Sequence, residues 1–177
     1  MRRKLMSGLV AVALLGFAPQ AFAQGFLLGP EIAWNDDFDI GIGVGAEFGL
    51  GSVAEGLGLY GDFLYFFPGD VDLGTFGEVS QDYLEFNANA TYVFPLKDSS
   101  ITPFALAGAN FGNANIDYEG FGEDIDSSDD GFKVGVNLGG GIQFNLGNFR
   151  PRVGARFVLG GYETFTIFGF LPFQVGG

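Results

Sequence analysis

The chain contains no cysteine and no histidine. Without cysteine there is neither a disulfide nor a thiol for lipid attachment, so a chain of this composition is held together by other means. Without histidine the side chain that titrates near neutrality is missing, and with it Ser/His and Asp/His hydrolytic chemistry. The two absences together remove the ordinary ligands of zinc and haem. No catalytic, cofactor-binding or metal-binding set can be assembled, and the expectation is a non-enzyme without a cofactor. Positive charge is also scarce, with 8 Lys and Arg against 21 Asp and Glu, which excludes nucleic-acid binding through a basic patch. No apolar run is long enough for a membrane-spanning helix. Glycine and phenylalanine, by contrast, are abundant: 31 Gly and 22 Phe in 177 residues depart from an ordinary globular domain.

The first residues read as a leader. Arg2-Arg3-Lys4, an apolar run from Leu5 to Phe17, and Ala21-Phe22-Ala23 before Gln24 follow the order of a secretory signal peptide. Residues 1–23 are therefore expected to be cleaved, leaving residues 24–177 as one domain of about 150 residues. Only Lys97, Lys133, Arg150, Arg152 and Arg156 then remain to balance the acids.

Most informative is the stretch Phe38 to Gly49. Phe38, Ile40, Ile42, Val44, Ala46 and Phe48 alternate with Asp39, Gly41, Gly43, Gly45, Glu47 and Gly49, the period of a β-strand with two unlike faces. A strand facing water carries Lys, Thr or Ser on its polar side. Here that side is glycine and acid, which suits the tight interior of a narrow barrel, with the apolar side turned to lipid. The stretch spans roughly 24 Å when tilted, the height of an outer-membrane apolar band. The same alternation recurs at 57–67, 84–94, 132–144 and 152–159, and strands are expected also at 26–34, 101–111 and between about 165 and 177. The 101–111 segment is small or apolar on both faces and leaves its outside unassigned. Pro68-Gly69 is expected to end the third strand, with a polar loop to Gln81 and an acidic connection from Gly112 to Gly131. The connections at 50–56, 95–100 and 145–149 are short, and those at 68–81 and 112–131 long. This is the meander of an all-β, eight-stranded antiparallel up-and-down transmembrane β-barrel.

Strand parity puts Glu31, Glu47, Asp62, Glu85, Lys133, Arg152 and Arg156 inside. A Lys or Arg on the lipid face near mid-membrane would cost about 2–4 kcal/mol, so an interior charge network is the cheaper arrangement. Depth suggests Arg156 with Asp62 or Glu31, Arg152 with Glu47, and Lys133 with Glu85. Such charges fill and pin a narrow lumen; a gated ion path is the competing reading. The run from Asp126 to Gly131 imitates the first half of a calcium loop, but Asn137 stands where a bidentate Glu is required. A solvated loop fits that run better. The glycines repeat every second residue and form no phosphate-binding loop.

The segments Gly135 to Phe144, Pro103 to Gly112 and Pro151 to Phe157 resemble those of small bacterial outer-membrane β-barrel proteins, the porin-like, OmpA-barrel and OmpX-type families. The resemblance implies a Gram-negative outer-membrane location, contact with lipid and lipopolysaccharide, insertion by the barrel-assembly machinery, a monomer, and a structural or surface-interaction role. Members usually end on an aromatic residue; this chain stops at Phe173-Gln-Val-Gly-Gly, which reads as a last strand cut a few residues short. Two alternatives stay open. One is a small, weakly cation-preferring channel; the other is a soluble periplasmic lipocalin-like carrier, whose apolar faces would turn inward around a ligand.

Overall fold

A computed structural model describes residues 26–72, 78–97, 99–119, 131–147 and 149–175. The leader read over residues 1–23 and the calcium-like run over residues 126–130 lie outside them. Among the described residues every element is a strand: β1 (Phe26–Asn35), β2 (Asp39–Gly49), β3 (Leu57–Asp72), β4 (Glu78–Val93), β5 (Ile101–Glu119), β6 (Gly131–Phe144), β7 (Arg152–Leu159), β8 (Phe165–Phe170) and β9 (Phe173–Val175). Each pairs antiparallel with its sequence neighbour from β1 through β8, and β1 pairs in turn with β8 and β9, which closes the sheet. β8 and β9 are two halves of one stave, so the nine strands make an eight-stave barrel. The break between the halves falls at Leu171-Pro172, opposite Gly29-Pro30. There the amide of Leu171 donates to the carbonyl of Pro30 at 3.0 Å, and proline has no N–H to return the bond.

The two faces follow the alternation. Ile32, Ile40, Ile42, Val44, Leu59, Phe63, Phe86, Val136, Leu138, Val153, Phe157 and Leu159 are all exposed on the outer wall, while Glu31, Asp62, Glu85, Asn87, Asn110, Asn137 and Arg156 are buried. This polarity is the reverse of a carrier's, because the apolar side chains point away from the axis and charges point toward it. Trp34, Phe67, Phe132 and Phe157 are exposed toward one end of the wall and Tyr92, Phe94 and Phe173 toward the other, as in the two aromatic girdles of a membrane barrel. The segment 101–111 also acquires an inside. Thr102, Phe104, Leu106 and Asn110 are buried, whereas Ile101, Pro103, Ala105 and Ala107 face out.

Three expectations change. Pro68-Gly69 does not end β3, which runs to Asp72 across an irregularity in register between Phe66 and Gly69. A proline at such a bulge needs no ladder partner for its nitrogen. β4 and β5 are correspondingly long, and residues 69–72 and 78–81 of the first expected loop and 112–119 of the second are paired strand, to Asp72↔Glu78 and Glu78↔Glu119. Turn-forming residues overstated those loops because pairing with β4 supplies the hydrogen bonds that the local sequence does not. Finally, Phe38 is buried rather than lipid-facing. It belongs to the β1–β2 turn: Oδ1 of Asn35 accepts from the amides of Asp37 and Phe38 at 2.9 and 3.2 Å, and Asp39 takes a left-handed φ of 57°. Asp is among the few residues that enter that region at modest cost. Partial burial and the charge of Asp36 hold the Asp37 carboxyl in this turn above the usual carboxylate range.

Glycine on the inner face makes the room that the lumen needs. A methyl group on Gly41 would meet the ring of Phe66, one on Gly45 would meet the ring of Phe170, and one on Gly43 would overlap the backbone carbonyl of Phe63 in the next strand. Backbone cannot swing aside as a flexible side chain can. Gly43→Ala is therefore expected to destabilise the folded barrel in lipid by about 1–3 kcal/mol, read as a lower urea midpoint, whereas Gly51→Ala, with open space around it, should stay within about 0.5 kcal/mol of the parent.

Candidate functional site: the charged interior of the barrel

The centre of the lumen is a single guanidinium shared by two acids. Arg156 on β7 donates from Nη1 to Oδ2 of Asp62 at 2.9 Å and from Nη2 to Oδ1 of the same carboxylate at 3.2 Å, a two-pronged pairing that fixes orientation as well as charge. Nη2 also reaches Oε1 of Glu85 at 2.6 Å. All three side chains are fully shielded from solvent. Taking these ions out of water costs several kcal/mol each, and the cost is met only if the remaining polar atoms also find partners.

Many of those partners are asparagines from neighbouring staves. Asn87 donates to Oδ1 of Asp62 at 2.7 Å and to Oε1 of Glu85 at 2.6 Å. Its own carbonyl accepts from Asn110 at 2.9 Å and from Asn137 at 2.7 Å, and Asn137 also donates to Asn89 at 2.9 Å. β3, β4, β5, β6 and β7 are thus tied across the lumen. Glu31 on β1 joins through the hydroxyl of Tyr60 on β3, which donates to it. This layer holds three carboxylates, Glu31, Asp62 and Glu85, around one guanidinium.

A second ion pair lies toward the end with the short turns. Arg152 meets Glu47 through Nη1 to Oε2 at 2.8 Å and Nη2 to Oε1 at 2.9 Å, and Gln143 accepts from Nε and Nη2 of Arg152 at 2.9 and 2.6 Å. Between the two arginines lie aromatic plates. The guanidinium carbon of Arg152 is 5.2 Å from the ring of Phe104, Phe104 is 6.4 Å from Phe168, and the guanidinium carbon of Arg156 is 5.4 Å from Phe168. Both arginines are within range of a cation–π attraction. Above the central layer, Phe38 stacks on Tyr83 at 4.0 Å, with Phe66 and Tyr162 at 5.6 and 5.4 Å from Tyr83. Lys133 sits over this group, Nζ 4.2 Å from the centre of the Tyr162 ring. Along its axis the lumen is a column of ion pair, aromatic plates, charged layer and aromatic lid.

The structure brings Arg156 to Asp62, as depth along the strands suggested, and Arg152 to Glu47. Glu31 is bound by Tyr60, and Glu85 is bound by Arg156; Lys133 is at the lid. Sequence reasoning singled out the charges and passed over what joins them: Tyr60, Asn87, Asn89, Asn110, Asn137 and Gln143. The signal for five of these was present, since Tyr60, Asn87, Asn89, Asn137 and Gln143 occupy the same inward parity as the acids and Lys133. A run of inward asparagines has no use on a lumen wall except to bridge other groups.

A closed antiparallel barrel with an apolar outer wall, aromatic girdles and a charged, filled interior defines a transmembrane β-barrel. The chain belongs to the family described as "Outer membrane protein beta-barrel domain", which matches residues 8–169. Among solved structures it is similar to the N-terminal β-barrel domain of OprF from Pseudomonas aeruginosa, with a TM-score of 0.60, 14% identity, and coverage of 86% of this chain and 98% of that one. It is also similar to Neisserial surface protein A, with a TM-score of 0.60, 13% identity and coverage of 85% and 96%. The attachment invasion locus protein Ail of Yersinia pestis follows, with a TM-score of 0.54, 16% identity and coverage of 85% and 95%. Identities this low establish the shared fold alone. No curated protein matches in sequence.

Removing Arg156 would strand two buried carboxylates. Arg156→Ala is expected to cost about 3–5 kcal/mol of unfolding free energy in lipid. Glu31→Gln keeps a partner for Tyr60 and removes a carboxylate from a layer that has too many, so it should leave stability unchanged or raise it. Equilibrium urea unfolding followed by the fluorescence of Trp34 measures both; equal losses in the two variants would refute the assignment of Arg156 as the centre of the network.

Proposed function

We propose that this protein is a non-enzymatic, non-conducting outer-membrane barrel with a structural or surface-interaction role. The observation that carries the reading is the filled lumen. Arg156, Asp62 and Glu85 are fully buried, and the Phe104–Phe168 plates and the Phe38–Tyr83 lid lie on either side of them along the axis. An ion crossing the barrel would have to displace both the network and the aromatic rings. The weakly cation-preferring channel is disfavoured for that reason, although the acid content of the lumen would suit a cation.

We further propose that residues 1–23 are a cleaved export signal and that the chain reaches the bacterial outer membrane by way of the periplasm. There the barrel-assembly machinery inserts it as a monomer among lipid and lipopolysaccharide. The short connections at 50–56, 94–100 and 145–151 then lie at the periplasmic end, with both ends of the described chain. The long hairpins β3–β4 and β5–β6 project outside, by the usual polarity of such barrels. These hairpins are the parts of the wall that stand furthest above the β1–β2 turn, and a surface role would be exercised through them.

The test is electrical. In planar bilayers the refolded barrel is expected to give no discrete single-channel steps at either polarity. Regular cation-selective openings, abolished by heating the same preparation, would replace this reading with the channel.

A further inference from the structure

The periplasmic mouth is a cup of about 440 Å³, within the roughly 300–1,000 Å³ range of small-molecule sites. Its floor is the Arg152–Glu47 pair, both nearly buried, with Gln143 beside them. Its rim carries Glu55, Arg150 and Gln174. Among the described residues the β7–β8 ladder ends at Arg152↔Phe170, and Pro172 has no N–H with which to extend it. Gln174 on β9 is exposed there.

The charges of the cup are sorted by wall. Glu47 lies near the end of β2 and Glu55 in the β2–β3 turn, whereas Arg150 precedes β7 and Arg152 opens it. In a closed ring of eight staves these two walls face each other, and the Arg152–Glu47 contact spans the lumen between them. At the rim the same polarity repeats without contact: Glu55 and Arg150 are both exposed, and neither forms an ion pair among the described residues. Such a cup repels a simple anion from one side and a simple cation from the other. It fits a group that carries both signs.

We propose that the periplasmic cup binds a small zwitterion, a free amino acid or short peptide, with its ammonium toward Glu55 and its carboxylate toward Arg150, above the closed Arg152–Glu47 pair. Gln174, exposed on β9, supplies a neutral hydrogen-bonding group beside the two poles. This site lies at the opposite end from the surface hairpins and is independent of the role proposed for them.

The test uses the refolded barrel in phosphatidylcholine nanodiscs, titrated with alanyl-alanine and followed by the backbone amide signals of Gly51, Gly56 and Gly147. Saturable shifts are expected. Capping either charge, as N-acetyl-alanyl-alanine or as the C-terminal amide, should weaken binding by about tenfold or more, the loss of one charge-assisted contact. Glu55→Gln and Arg150→Gln should each do the same; both residues are exposed in turns, and a heat-shifted gel band verifies that the variants fold. No saturable shift, or equal binding of the capped peptides, would overturn the proposal. Phosphatidylethanolamine discs distinguish the source: unchanged peptide affinity supports a soluble ligand, and loss of peptide binding would assign the cup to the lipid headgroup and overturn it.

Discussion

Everything in this barrel is arranged around one positive charge that cannot reach water. Arg156 is held bidentately by Asp62 and a third time by Glu85, at a point enclosed on all sides by side chains. In hydrocarbon the outer wall gains nothing from packing against itself, so an eight-stave barrel cannot be stabilised as a soluble protein is, by hiding apolar surface from water. What can hold its staves in register from within is a polar core. The asparagines at 87, 89, 110 and 137 make that core continuous, and the bonds from Asn137 on β6 to Asn87 and Asn89 on β4 tie strands that the backbone ladder does not join directly. Leaving any of these groups unpaired in so dry a place would cost more than the bond itself contributes, which makes the network cooperative.

The glycines and the aromatics belong to the same constraint. A narrow lumen filled by arginine, phenylalanine and tyrosine needs walls that take up little space, and the glycines of β2 and β6 provide them. Gly154 shows this directly: a methyl group there would meet both Phe168 and Phe104, the two rings that separate the arginines. The composition that looked odd at the outset, rich in glycine and phenylalanine and poor in bases, follows from building a sealed interior at this diameter. The same economy explains why so few cations suffice. Two arginines suffice near the axis, and the end with the short turns keeps its opposite charges on opposite walls.

The period-two alternation made the architecture legible, because in a lipid-facing barrel parity decides almost everything. From Ile40 to Phe48 and from Phe132 to Phe144 each residue could be assigned to a face from sequence alone, and with it the inward place of Glu47, Lys133 and Asn137. Strand ends were less legible. Pro68-Gly69 and the polar residues from Asn113 to Glu119 carry turn and loop chemistry, yet pairing with β4 holds them in strand; local preference lost to a long-range ladder. Phe38 kept the parity of its strand on paper and turned inward in fact, because the Asn35 cap and the left-handed Asp39 redirect the chain one residue before β2 begins. Within the site, the sign and depth of the charges were readable, but the connections through Tyr60 and Asn87 depend on the shear of the barrel. Shear brings together residues tens of positions apart, and no spacing in the sequence encodes it.

The central claim is that the middle of the lumen is dry and locked. Proton exchange at Arg156 measures this most directly, by nuclear magnetic resonance of the barrel in lipid nanodiscs transferred to heavy water. The guanidinium protons of Arg156 are expected to persist long after those of Arg150, an exposed arginine of the same chain, have exchanged. Exchange of Arg156 as fast as Arg150 would mean that water reaches the centre, and the sealed, network-held interior described here would be wrong.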